Sequence, residues 1–201
     1  PEYFTGLATD SAWIALVTRA ADMNMNMLRV WGGGVYPPKA FYDACDQKGI
    51  LVWQDFMFAC SMVPGDSAFH RSVEREAEQA ILKYRNHPSL ALWCGNNESI
   101  EGWYNWGWQK EFKYSSADSL QIISDYSVLF EKILPQTVKA LDAKTNYWPS
   151  SPEFGWGRKE SMLSGDSHYW GVWWGFEPFE KYKEKVPRFM SEYGFQSLPV
   201  A

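Results

Sequence analysis

The chain of 201 residues is 46% hydrophobic and 21% charged, a balance that supports a buried core and excludes an intrinsically disordered chain. No uncharged apolar run reaches the ~18 residues that a membrane-spanning helix requires, and PEYFTGLATD has neither the basic start nor the apolar stretch of a signal peptide. Nineteen Lys and Arg against 24 Asp and Glu give a net charge of −5, which disfavours nucleic acid as a partner, because phosphate backbones are held by clustered cations.

A start at Pro1 and an end at LPVA read as the ends of an excised piece, so missing targeting signals leave the compartment open. Trp13, Leu16, Val17, Ala20 and Ala21 fall at helical spacing behind the caps Thr9 and Asp10, and the pattern fades near Asn24 and Asn26. Met27 to Trp31 reads as a strand, followed by a turn at Gly32, Gly33 and Gly34. Pro37 and Pro38 start a helix through Phe41 and Ala44 that Gly49 stops. Ile50 to Trp53 is strand-like and ends in Gln54 and Asp55. Ser67 opens a long helix with Val73, Ala77, Ala80, Ile81 and Tyr84 inward, broken at Asn86-His87-Pro88, and Leu90 to Cys94 is a third strand.

Gly95 to Ser116 reads as a Trp-rich loop or short-helix insertion. Ile122, Tyr126, Leu129, Phe130 and Ile133 mark a further helix, whose second half begins at Pro135 with Val138 and Leu141 inward. Asn146 to Pro149 is a short strand, Ser150 to Gly165 a loop, and His168 to Trp170 and Phe189 to Glu192 are strands separated by a helix around Glu180 to Lys185. Alternating strands and helices predict a parallel sheet covered by helices, hence an α/β fold in a single domain.

Such a sheet closes either as an open doubly wound sheet or as an eight-stranded barrel. The first commonly binds a nucleotide, but Gly32 to Gly34 lacks the G-x-G-x-x-G spacing and a following Lys-Ser or Lys-Thr. The turn instead calls for positive φ or a close backbone approach. In a barrel the strand ends form the site, and here they read Arg29 to Trp31, Gln54-Asp55, Asn97-Glu98, Trp148, His168 to Trp170 and Glu192-Tyr193.

Twelve Trp, eleven Tyr and twelve Phe exceed what a core comfortably takes, since each buried indole needs a partner for its N–H. Either the core is unusually aromatic or some rings line a cleft, where flat faces suit the C–H surfaces of sugars. Cys45, Cys60 and Cys94 have no C-x-x-C spacing and read as buried free thiols. Two apolar strands end in glutamates: LALWCGNNE delivers Glu98 and RFMSEYG delivers Glu192. In a parallel sheet both arrive at one rim, and cleavage of a glycosidic bond requires such a pair, one acid to protonate the leaving oxygen and one carboxylate to attack or to activate water. A lone Glu at a strand end is more simply a solvated residue.

RVWGGG, QDF, WCGNNE and SEYGFQS resemble the catalytic (β/α)8 TIM barrel of glycoside hydrolase family 2, in its β-mannosidase branch, and the similarity covers nearly the whole chain. The resemblance implies that residues 1–201 are one catalytic barrel domain truncated at both ends, holding about strands two to seven, with the flanking β-sandwich domains of the family outside the chain. It implies Glu98 as general acid and base and Glu192 as nucleophile in a retaining mechanism on a β-mannoside, Arg29 as hydrogen-bond partner of Glu192, and Asn97 as partner of the sugar 2-hydroxyl. Trp31, Trp106 and Trp170 are candidate walls of the sugar pocket, with Trp31 best supported by the motif. Asp55 either holds a sugar hydroxyl, orients Arg29 or is a structural carboxylate, and His168 and Tyr169 either bond Glu192 or the substrate. No cofactor is needed, and no metal site is expected, because His168 has no second His or Cys at ligand spacing.

Catalysis by this pair predicts a protonated Glu98, raised by partial burial and by Glu192, and an ionised Glu192, lowered by Arg29. Family members place the activity in the periplasm, outside the cell or in the lysosome. The alternatives are another family 2 activity, a β-glucuronidase or β-galactosidase, and a non-catalytic sugar-binding barrel in which the aromatics do the work. Without its outer strands the isolated chain is expected to be weakly active or inactive.

Overall fold

In the computed structural model, which describes residues 8–194, Thr9 caps the first helix, its hydroxyl accepting the Ala12 N–H at 3.3 Å. This helix, α1 (Asp10–Asp22), packs on α2 (Lys39–Lys48) along Trp13, Val17 and Ala20, with Trp13 edge-on to Phe41 at 5.7 Å. Leu16, expected inward, is 47% exposed: the contact seam follows the i, i+4, i+7 row and leaves its neighbour off the face. Gly49 ends α2 at φ 68°, in the left-handed region where a Cβ is strained. Asp66 caps α3 (Ser67–Tyr84) by accepting the Ala68 and Phe69 amides, and the five expected inward residues of α3 are all buried.

The Trp-rich insertion folds into two short helices, α4 (Ser99–Asn105) and α5 (Trp108–Glu111). Next, α6 (Ser116–Val128) opens on a Ser115–Asp118 capping box. It runs through a π-helical turn, Leu129–Ile133, into α7 (Leu134–Leu141), where Pro135 stands directly after the π turn. The helix expected around Glu180 to Lys185 is a 3-10 segment, Phe179–Lys183.

Four parallel strands, β1 (Met27–Val30), β2 (Leu51–Asp55), β3 (Leu90–Cys94) and β4 (Asn146–Trp148), lie side by side in chain order. Their register sets Arg29 opposite Trp53, Asp55 opposite Cys94, and Cys94 opposite Trp148. A second parallel pair, β5 (Ser167–Tyr169) and β6 (Met190–Tyr193), sets His168 opposite Glu192. Among the described residues no ladder joins β4 to β5, so the expected unbroken succession of six strands is divided into sheets of four and two. Both bordering strands are only three residues long, and side chains span the gap: the Asp166 carboxylate accepts the Ser151 hydroxyl at 2.6 Å and the Glu153 amide at 2.8 Å.

The core joins α1, α2, α3, the π turn and α7 to β2 and β3 through Val17, Phe41, Tyr42, Val52, Ile81, Trp93, Leu129 and Leu134. Each such side chain contributes ~1.5–3 kcal/mol when fully buried. Its polar tips are paired: Tyr42 hydroxyl with Gln54, Tyr84 hydroxyl on Pro37 O at 2.7 Å, and Trp93 Nε1 on Asp142 at 3.0 Å. Of the two reasons offered for the glycine turn, close approach is the operative one. A Cβ on Gly32 would stand 2.3 Å from the Phe58 carbonyl oxygen, and none of these glycines is among the described residues of positive φ. No helix among the described residues is long and apolar enough to cross a membrane.

Candidate active site

Beyond Cys94 the third strand continues irregularly through Gly95, Asn96 and Asn97, pinned between two neighbouring loops. Asn97 N–H donates to Phe58 O at 2.9 Å, Cys60 N–H to Asn97 O at 2.8 Å, and Glu98 N–H to Ser151 O at 2.8 Å. Buried Asn96 fastens the turn, its Nδ2 donating to Pro149 O and Tyr126 hydroxyl while its Oδ1 accepts the Ser99 amide and the Ser150 hydroxyl. These bonds hold Glu98 at φ 58° and ψ 6°, a left-handed conformation unusual for a residue with a Cβ. The strained backbone aims the Glu98 side chain at His168, whose Nδ1 lies 2.7 Å from Glu98 Oε1.

Strand β6 brings Glu192 to the same place. His168 Nδ1 is 3.5 Å from Glu192 Oε2, and one oxygen of each carboxylate lies within 4.8 Å of the other and of the imidazole. Arg29, from β1, spreads its fork beneath both: Nη1 donates to Glu192 Oε2 at 3.2 Å, Nη2 to Asp55 Oδ2 at 2.8 Å and Asn97 Oδ1 at 2.9 Å. Trp170 Nε1 donates to Glu192 Oε1 at 3.2 Å, and Asn97 Nδ2 to Glu98 Oε2 at 3.3 Å. Atoms of Glu98, His168 and Glu192 stand close enough to share a cation, but Arg29 already places positive charge on Glu192 and the Nδ1 of His168 is engaged with Glu98.

The electrostatics run against the expected protonation. Burial pushes Glu98 up, but the hydrogen bond and charge of His168 outweigh it and hold its carboxyl below the usual range. Burial pushes Glu192 up, aided by Glu98 and opposed by His168 and Arg29, and leaves it above the usual range. The reversal follows from where His168 sits, nearer Glu98 than Glu192. Burial lowers Arg29, yet Asp55 foremost more than compensates and secures its charge.

A cavity of about 540 Å³ opens over the pair, lined by Glu98, Glu101, Asn105, Trp106, Gly155, Trp156, His168, Trp170, Trp174 and Glu192. Eight of the ten sequence-derived residues thus gather in or directly around the carboxylates, or pack beside them, and two stand elsewhere. Asp55 belongs to the first set but is fully buried: its oxygens are taken by Arg29, the Trp53 indole and the Gly32 amide, so it orients Arg29 and reaches no sugar. Tyr169 does not reach Glu192, because strand alternation turns it away from its neighbour His168 and its hydroxyl bonds Glu177. Trp31 folds over Gly33 and is not among the lining residues.

The sequence reading missed the walls Trp156 and Trp174 and the buried carboxylate Glu101, which accepts from Asn105 Nδ2 at 2.9 Å and the Gly155 amide at 3.3 Å. Burial pushes Glu101 above the usual range. The one signal for it was its place one helical turn after Glu98. Cys45 and Cys94 are buried as expected, but Cys60 is exposed, its Sγ 3.5 Å from Glu98 Oε2. It sits at φ 50° on the loop that pairs with Asn97.

No family model matches the chain. Beta-mannosidase B of Thermothelomyces thermophilus is 41% identical over 192 residues, covering 93% of this chain and 22% of the relative. The solved β-D-mannosidase of Dictyoglomus thermophilum superimposes with a TM-score of 0.81 at 42% identity, covering 96% of this chain and 23% of that one. A Bacteroides uniformis β-glucuronidase shares the fold at a TM-score of 0.59 and 20% identity, over 89% of this chain and 17% of its own. The chain therefore spans less than a quarter of the length of these relatives. The motifs RVWGGG and WCGNNE stand in a parallel α/β fold like that of the Dictyoglomus protein, and the chain is similar over nearly its whole length to β-mannosidases while spanning about a fifth of theirs.

Proposed function

We propose that the chain holds the catalytic centre of a retaining β-mannosidase, within a longer enzyme whose remaining strands close a (β/α)8 barrel. In that reading β1 to β6 are barrel strands two to seven. The observation that carries it is the Glu98–Glu192 pair beside an aromatic cavity, one oxygen of each carboxylate lying within 4.8 Å of the other. So close an approach supports double displacement over inversion, which needs carboxyl groups ~6.5–9.5 Å apart to admit an intervening water.

Glu98 protonates the leaving oxygen as Glu192 attacks the anomeric carbon, then takes a proton from water as the glycosyl-enzyme ester is hydrolysed. Arg29 and the Trp170 indole hold Glu192 in line for attack, and Asn97 stands beside Glu98 to meet the sugar 2-hydroxyl. Trp106, Trp156 and Trp174 offer flat faces to the sugar or its leaving group. The test uses the longer enzyme and an aryl β-mannoside. Glu192→Ala is expected to lower kcat by roughly a thousandfold or more while sugar binding persists, and proton NMR should find the first-formed mannose as the β anomer. Turnover of aryl β-glucuronide instead would transfer the reading to that activity, and an α first product would reject retention.

A further inference from the structure

Behind the carboxylate pair runs a buried file of side chains that the mechanism above leaves unused. His168 is 1% exposed, and its Nε2 faces Arg29 Nη1 at 3.2 Å and Ser151 Oγ at 2.9 Å. Ser151 Oγ is also 2.6 Å from Asp166 Oδ2, and Asp166 further accepts the Ser191 hydroxyl at 2.5 Å and the Glu153 amide at 2.8 Å. Ser151 and Asp166 are buried, and neither lines the cavity.

Counting protons restricts what this file can do. A guanidinium only donates, so next to Arg29 a neutral His168 with a bare Nε2 carries its proton on Nδ1, donating to an ionised Glu98. When one more proton enters, Glu98 becomes the acid and Nδ1 its acceptor, or the ring holds both protons. In either case Nε2 bears a hydrogen that Arg29 cannot accept. Ser151 supplies the acceptor, and turns its own proton to Asp166. The hydroxyl thus serves both states of the Glu98–His168 pair without leaving a buried group unpaired.

We propose that Ser151 and Asp166 are positioning residues that keep the acid proton on the Glu98–His168 pair by receiving the Nε2–H of His168. The proposal rests on Glu98 being the proton donor of the reaction. The charged groups facing the ring are Glu98, Glu192 and Arg29 directly and Asp166 through Ser151, and only the last acts on Nε2–H through a neutral acceptor. Removing the Asp166 charge or the Ser151 hydroxyl loosens the proton, so the alkaline limb of activity moves to lower pH.

The experiment compares Asp166→Asn and Ser151→Ala in the longer enzyme with the parent sequence. Expected are a shift of the alkaline limb of kcat/KM by about one unit toward acid and a roughly tenfold fall in kcat at pH 7 for methyl β-mannoside. KM should stay within about twofold, and the fall should largely vanish with dinitrophenyl β-mannoside, whose leaving group needs no proton. An unmoved limb with equal losses on both substrates would mean a merely structural role and overturn the proposal. Nitrogen-15 shifts of the His168 ring judge it independently of turnover: they should move in both variants, and unchanged shifts reject the relay. An enzyme of parent sequence without β-mannoside turnover would reject the functional reading instead.

Discussion

Glu192 illustrates a conflict confined to one residue. Its burial and the charge of Glu98 raise it above the ordinary carboxylate range, despite Arg29 and Trp170. A carboxyl held up in the fold disfavours folding once both states are ionised. The penalty is absent below the unfolded value near ~4.3 and fully present at pH above the folded one. Glu192→Gln should therefore raise the melting temperature at pH 7. The gain should disappear near pH 4. A calorimetric scan at both pH values checks the sign, and an equal shift at both would mean packing, not charge, was responsible.

At the scale of elements the glycine turn after β1 shows how a loop sets the site. The Phe56 and Phe58 carbonyl oxygens press on Gly32 so closely that a Cβ would fall 2.7 and 2.3 Å from them, and both are backbone atoms that cannot swing aside. The same segment docks Asn97 N–H on Phe58 O, so moving it moves Asn97 and Glu98. Gly32→Ala is expected to lower stability by ~1–3 kcal/mol and activity more than stability alone explains, read from urea denaturation beside an assay of the same preparation. Elements of strong periodicity were legible in the residues: α3 buries all five expected positions, and the strands fall within a residue or two of their expected bounds. The two carboxylates were legible because each ends an apolar run. Trp156, Trp174 and Glu101 were not, since they lie on a loop, on a turn and in a short helix, where no period tells an inward ring from an outward one. The protonation order of the pair was hidden too, because it depends on a tenths-of-ångström choice by His168 that only coordinates disclose.

At the scale of the whole molecule, the sheets of the described residues end in strands with a free edge. Among the described residues β1 and β4 border the larger sheet, and β5 and β6 each have one ladder partner. Exposed edges favour association between copies and leave a cavity wall unsupported. Exposed aromatics such as Trp174 at 71% and Phe176 at 94% add to this tendency. The isolated chain is expected to turn over an aryl β-mannoside at less than roughly one hundredth the rate of the longer enzyme, and to elute as self-associated material. Size-exclusion chromatography and a parallel assay decide both, and a monomer of comparable activity would refute the expectation.

The left-handed backbone at Glu98 has a bearing on how such a protein changes over generations. Glycine would rest there without strain, whereas glutamate is kept in place by the carbonyls and amides of two neighbouring loops. Drift under selection for heat resistance alone would favour Glu98→Gly and so erase the proposed acid. Persistence of glutamate at that position in a lineage would mark continued demand for chemistry over durability.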